Sequence, residues 1–152
     1  MFGARLYYDD GSVMHAGMYL ERDTFRGGPA GRIDLLRVTH YAKGFPEWAP
    51  EVTTTRIVPA VTGAFISIDR SHFEELQGFD EDYILGHYED ADLCLKSATA
   101  GQPVWYCADI RLWHMEGKGS VRRPELDGAS QVNRWLFTKK WSSSAIENST
   151  VC

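Results

Sequence analysis

The chain has 152 residues, 43% of them hydrophobic, with five Trp, seven Tyr and seven Phe and a formal net charge of −5. That length suits one domain with a real core and is too short for two, and the composition excludes a disordered chain. Basic residues are scattered apart from Arg122-Arg123 and Lys139-Lys140, which excludes a nucleic-acid surface, and no apolar run nears the ~20 residues of a membrane span.

The cysteines (Cys94, Cys107, Cys152) are odd in number, widely spaced and without a CxxC, and MFGARLYYDD lacks the apolar core of a signal peptide. Reduced thiols in a cytoplasmic protein are expected, two of them packed in the core. Asn148-Ser149-Thr150, a glycosylation sequon, then reads as accidental.

In chain order, Ala4–Tyr8 and Val13–Leu20 are strand-like runs around Asp9-Asp10-Gly11-Ser12, a hairpin signal because Gly accepts the positive φ of a tight turn. A chain that opens directly in a strand suggests a missing N-terminal part. From Glu21 to Glu51, Gly27-Gly28-Pro29, Gly31, Gly44, Pro46 and Pro50 punctuate a stretch without sustained period. A long loop is expected there, with Phe45 and Trp48 either over a cleft or pinning the loop to the core. Thr53–Ile68 reads as the strongest strand, bent at Pro59 and apolar on both faces from Val61. Gly63 within it fits either close approach of a ligand or a bulge.

Ser71-His72-Phe73-Glu74 is a capping box that opens a short helix closed by Gly78, with Phe79 placed to pack back on it. Between Asp80 and Asp92 lie six carboxylates and no Lys or Arg. A helix begins near Glu89 or Asp90, carries Ala91, Cys94, Leu95 and Ala98 at helical spacing, and ends at Gly101. Val104–Cys107 and Ile110–Trp113 are strand-like runs divided by Ala108-Asp109, and His114 follows where the strand leaves the sheet. Ala129–Trp141 forms a last helix, so residues 1–141 are expected as one partial domain and 142–152 as a frayed tail.

Glu89-Asp90-x-Asp92 admits two readings. An ionised carboxylate in the first turn of a helix, aimed into a cleft, can take a proton from a hydroxyl as a general base. The same letters also describe ordinary helix N-terminal acidity. The ordered set of motifs bears on the choice: Asp10-Gly11, His15-Ala16-Gly17, Thr62-Gly63-Ala64, Gly78-Phe79-Asp80-Glu81, Glu89-Asp90-Ala91-Asp92-Leu93, Gly101, then His114 near Gly117, Gly119 and Ser120. From Ala4 to Ser120 this order resembles the second half of inverting family-2 glycosyltransferases with the GT-A fold. The resemblance implies an α/β fold, a partial GT-A-like mixed sheet flanked by helices that lacks the N-terminal nucleotide-binding half.

It implies Asp90 as catalytic base and Glu89 beside it shaping the acceptor site. Gly63 and Ala64 would floor the donor sugar, with Asp92 and Trp113 as further substrate contacts. His114 would be a ligand to a divalent metal (Mn or Mg) held only together with the missing half. The implied partners are a nucleotide-sugar donor and a saccharide or other hydroxyl acceptor. Asp9-Asp10-Gly11-Ser12 does not replace the absent half, because no strand-helix unit precedes it and no D-x-D strand follows. The fragment alone is expected to be inactive and prone to self-association through an uncovered edge or face. Two alternatives stand beside this: a non-catalytic carbohydrate- or partner-binding module using Trp48, Trp105 and Trp113, and a metal-binding or hydrolytic domain using Asp90, Asp92 and His114.

Overall fold

The turn Asp9–Ser12 sets the first two strands. Gly11 takes φ 84°, Tyr8 N–H donates to Ser12 O at 2.9 Å, and Asp10 Oδ1 accepts from Ser12 N and Oγ at 2.8 and 2.7 Å. This computed structural model describes residues 1–26, 31–115 and 124–142. Gly27 to Ala30, the residues from Glu116 to Arg123 (Gly117, Gly119, Ser120 and Arg122-Arg123 among them), and the tail from 143, with the sequon and Cys152, lie outside the described residues.

The turn joins β1 (Phe2–Tyr7) to antiparallel β2 (Val13–His15). At Gly17 the chain needs φ 95° and Val58 stands 2.8 Å from where a Cβ would be, so the strand breaks there. It resumes as β3 (Met18–Arg26), paired antiparallel with β4 (Arg32–His40) from Met18–His40 to Arg26–Arg32. The expected long loop over 21–51 therefore contains a β-ribbon, with strand residues 21–26 and 32–40. Its period was hidden because charges stabilise it across the strands: Glu21 faces Arg37, and Asp34 meets Arg22 and Thr24.

After α1 (Pro50–Thr53), the segment expected as one strand over Thr53–Ile68 forms strands only near its ends, as β5 (Arg56–Ile57) and β6 (Ile66–Ser67), with a single bridge from Ala60 to Met18 between them. Between them the chain crosses the sheet. Val58 N–H donates to Val104 O at 3.0 Å, Met18 N–H to Ala60 O at 2.8 Å, and Val61 fills the space beside Gly3. Pro59 and the turn Thr62–Phe65 prevent a ladder, so this apolar run is buried without being a strand.

In α2 (Arg70–Glu75) the cap is Asp69, whose Oδ1 accepts from Ser71 N–H at 2.9 Å, two residues before the expected box. Phe79 packs on Phe73 as expected, ring centroids 5.7 Å apart. α3 (Glu89–Thr99) ends at Gly101 with φ 80°. Ala108-Asp109 does not divide two strands: β7 (Trp105–Trp113) runs through, parallel to β1, with a register shift between Ala4–Cys107 and Arg5–Arg111. The carbonyl this irregularity frees, Ala108 O, accepts from the buried Arg5 guanidinium, Nε at 2.9 Å. The last helix, α4, begins earlier than expected and spans Pro124–Trp141.

The result is mixed α/β. One sheet runs β2-β1-β7-β5 with β6 also on β1, and β3-β4 forms a separate ribbon. The main core includes Tyr7, Val13, Val61, Ala91, Cys94, Tyr106 and Phe137, and Ala4, Leu6 and Met14 form a smaller cluster. Burial pushes the Cys94 thiol up to about 12, which leaves it an unreactive core residue. No helix of the described residues is long and apolar enough to cross a membrane.

Candidate functional site

The first turn of α3 is presented by an unusual backbone. Leu85, Gly86, His87 and Tyr88 take φ of 57°, 105°, 73° and 77° in succession. Non-glycine residues in this region cost ~1–3 kcal/mol each, so something must hold them. The clamp is Asn133 of α4, fully buried. Its Oδ1 accepts from Ile84 N–H at 2.8 Å, and its Nδ2 donates to the carbonyls of Ile84, Gly86 and His87 at 2.9, 2.8 and 3.1 Å. Sequence reasoning missed Asn133; the available signal was one amide among the apolar residues Val132, Leu136 and Phe137 of the last helix.

The clamped turn brings Asp90 to Gly63. The Gly63 N–H donates to Asp90 Oδ2 at 2.8 Å, and the Ala91 N–H to Oδ1 at the same distance. A Cβ on Gly63 would sit 3.4 Å from the Asp90 Cβ, in ordinary van der Waals contact. Gly63 and Ala64 are exposed and Asp90 is half-buried. Glu89 differs from its neighbour. Burial, then the Asp90 charge, pushes its carboxyl above the usual range, and its Oε2 is buried without a partner. The pair thus offers one carboxyl group held by backbone donors and one whose pKa burial pushes upward.

Asp92, expected at a substrate, is elsewhere. It is fully buried, and its Oδ1 accepts from Trp141 Nε1 at 2.7 Å and Tyr83 OH at 3.1 Å. Lys140 Nζ lies 2.8 Å from Oδ1, and Lys96 Nζ 3.8 Å from Oδ2. The carboxylate ties α3 to α4 and has no free face for a ligand. Burial and then the Asp92 charge raise the Tyr83 hydroxyl far above its ordinary value, so it remains a donor.

Trp113 and His114 stand at the carboxyl end of the parallel β1–β7 pair. The Trp113 ring lies 5.6 Å from that of Tyr7, and the His114 N–H donates to Tyr7 O at 2.9 Å. No hydrogen bond or ion pair among the described residues joins them to Asp90 or Glu89. Trp105, grouped with Trp48 and Trp113 from sequence, pairs with Phe2 at the opposite end of β7, about 25 Å from Trp113 at ~3.3 Å per residue. Among the described residues no group of three His, Cys, Asp or Glu could hold a metal ion. His114 alone does not make such a site.

His15 is the remaining buried titratable group near the Gly63 turn. Its Nε2 accepts from Gly17 N–H at 3.2 Å and from Thr62 N–H at 3.5 Å, and its Nδ1 faces His40 Nδ1 at 3.0 Å. Burial, then the nearby His40 and Arg56, hold its pKa well below 6.5, so the ring is neutral.

Over 143 residues the chain is 33% identical to the uncharacterized protein y4gI of Sinorhizobium fredii, covering 93% of this chain and 15% of that protein. Over 135 residues it is 32% identical to the O-antigen biosynthesis protein RfbC of Myxococcus xanthus, covering 88% of this chain and 10% of that protein. The chain therefore spans a small part of the length of the relatives it matches. No family model matches it, and no solved structure matches it significantly.

Proposed function

We propose that this chain is the acceptor-side portion of a GT-A-like glycosyltransferase that moves a sugar from a nucleotide-sugar donor to an acceptor hydroxyl with inversion. The observation that carries the reading is Asp90: a carboxylate in the first turn of α3, fixed by the Gly63 N–H at 2.8 Å beside the exposed Gly63-Ala64 floor. The Gly63 and Ala91 N–H groups hold the carboxyl in one orientation, which a general base aimed at an acceptor hydroxyl needs. In this reading Asp90 takes the proton of the acceptor hydroxyl. The freed oxygen attacks the anomeric carbon from the face opposite the diphosphate, the anomeric C–O bond breaks, and nucleoside diphosphate leaves.

Glu89, whose carboxyl is pushed upward by burial and then by the Asp90 charge, lies beside the base and shapes the acceptor site. The similarity to a protein named for O-antigen biosynthesis supports a saccharide acceptor. His114 is assigned as one ligand of a divalent metal, Mn or Mg, only where a donor-binding half supplies the others.

The experiment joins such a half to this chain, supplies a panel of nucleotide sugars with O-polysaccharide acceptor, and reads the anomeric configuration of product by NMR. An inverted linkage is expected. A retained linkage, or hydrolysis with no transfer from any donor, would refute the reading.

A further inference from the structure

At the carboxyl ends of β1 and β7 the structure has a second feature, distinct from the Asp90 turn. It is an open cleft of about 550 Å³ whose lining includes Tyr7, Asp10, Phe45, Glu47, Trp48 and Trp113. That volume lies inside the ~300–1,000 Å³ of small-molecule sites, and the carboxyl ends of parallel strands are where α/β sheets bind ligands. Trp48 is 76% exposed, Trp113 68% and Phe45 46%. Three large rings left in water around one depression exceed the scattered apolar exposure of an ordinary surface.

The polar groups are interleaved with the rings and held in place. Asp10 has one oxygen engaged by Ser12, whose hydroxyl and then amide hold its carboxyl below the usual range, so it stays ionised. Glu47 Oε2 meets the Tyr7 hydroxyl at 3.4 Å. The Glu47 carbonyl accepts from Nη1 of the buried Arg5 at 3.3 Å, which anchors the Phe45–Trp48 wall to the sheet. Arg111 adds a donor to the lining.

We infer that this cleft is a saccharide subsite in which Trp48 and Trp113 stack on pyranose faces while Asp10, Glu47 and Arg111 bond the ring hydroxyls. Pyranose rings have apolar C–H faces and a hydroxyl rim, and a site alternating flat rings with charged hydrogen-bonding groups complements both. A purely apolar ligand would strip water from the two carboxylates without replacing the hydrogen bonds that water makes to them. The inference rests on the reading above only for the reaction the bound sugar enters, as the acceptor chain held beyond the transfer site.

The test needs no donor. The 152-residue chain is titrated with cellohexaose, maltohexaose and chitohexaose, and separately with decaproline, since aromatic grooves also take polyproline helices. Tryptophan emission and calorimetry are followed. Saturable binding of at least one hexasaccharide with a blue shift is expected. Trp48→Ala and Trp113→Ala should each weaken it about tenfold or more, and Trp105→Ala less than about twofold. No saturable sugar binding up to roughly 10 mM overturns the inference. So does sugar binding indifferent to both cleft tryptophans, or binding of decaproline alone. Sugar binding in a protein that shows no transfer leaves the subsite standing and sinks the transferase reading; the converse does the reverse.

Discussion

Replacing Asp92 tests whether the acidic motif is one site or two different devices. The carboxylate is fully buried and receives the Trp141 indole at 2.7 Å, the Tyr83 hydroxyl at 3.1 Å and Lys140 at 2.8 Å. A hydrogen bond to a charged group contributes ~1.5–3 kcal/mol when buried, which fits the indole. The half-buried tyrosine adds ~1 kcal/mol, and Lys140, with a side chain 38% exposed, at most ~1 kcal/mol after screening. Asp92→Ala should therefore cost about 4 kcal/mol, in line with the ~3–5 kcal/mol for breaking a buried pair and close to the whole stability of a marginal domain. Asp92→Asn keeps one acceptor for the indole but points an amide N–H₂ at Lys140, and should cost about half as much. Urea unfolding followed by near-UV circular dichroism measures it: at ~2 kcal/mol/M the midpoint falls by about 1 M. A shift within the ~0.5 kcal/mol of an indifferent surface site would refute the reasoning.

His15 makes stability depend on pH. Its folded pKa lies well below the 6.5 of the unfolded ring, so the unfolded state takes up a proton first. Stability should be flat above about pH 6.5 and fall below it, and His15→Gln should flatten that limb of a urea-midpoint-versus-pH series. Asn133→Ala frees three loop carbonyls and the Ile84 N–H; a loss of about 2–4 kcal/mol and faster hydrogen exchange at Ile84 are expected, and unchanged exchange would show the left-handed run holds itself. Glu89 has its folded pKa raised above 4.5, so its ionised form opposes folding at neutral pH. Glu89→Gln should raise the urea midpoint at pH 7, with the gain vanishing as pH falls below about 4.5, and a lower midpoint at pH 7 would contradict this.

Local chemistry was legible in the sequence wherever one short-range preference decided the outcome. Asp-Gly made the first hairpin, Gly101 ended α3, and Phe79 returned to Phe73. The ribbon of β3 and β4 was not legible, because its strands carry charge pairs where an alternating apolar face would announce them. The opposite error placed a strand over Val61–Ile68: burial on all sides looks the same in a ladder strand and in a chain crossing a sheet. At the candidate site, the sequence named Asp90 and Gly63, which the fold brings together, and helix periodicity turned Asp92 away from Asp90 without showing what Asp92 meets. Two positions along a helix is about 200° of rotation at 3.6 residues per turn, and what lay on that far side, Trp141 and Lys140, came from 49 and 48 residues away. Asn133 was hidden for the same reason, since its partners are backbone groups of a distant turn.

The central claim is that Asp90 is the base, and the initial rate of nucleoside diphosphate release tests it most directly. It is measured with a donor-binding half joined to the chain, comparing the parent protein with Asp90→Asn. The substitution keeps the shape and can keep the Gly63 contact through its carbonyl, while removing the proton acceptor. The account predicts a turnover lower by about 10²–10⁴-fold with donor affinity unchanged. Near-normal turnover in Asp90→Asn, in a protein that unfolds at the parent's urea midpoint, would contradict it.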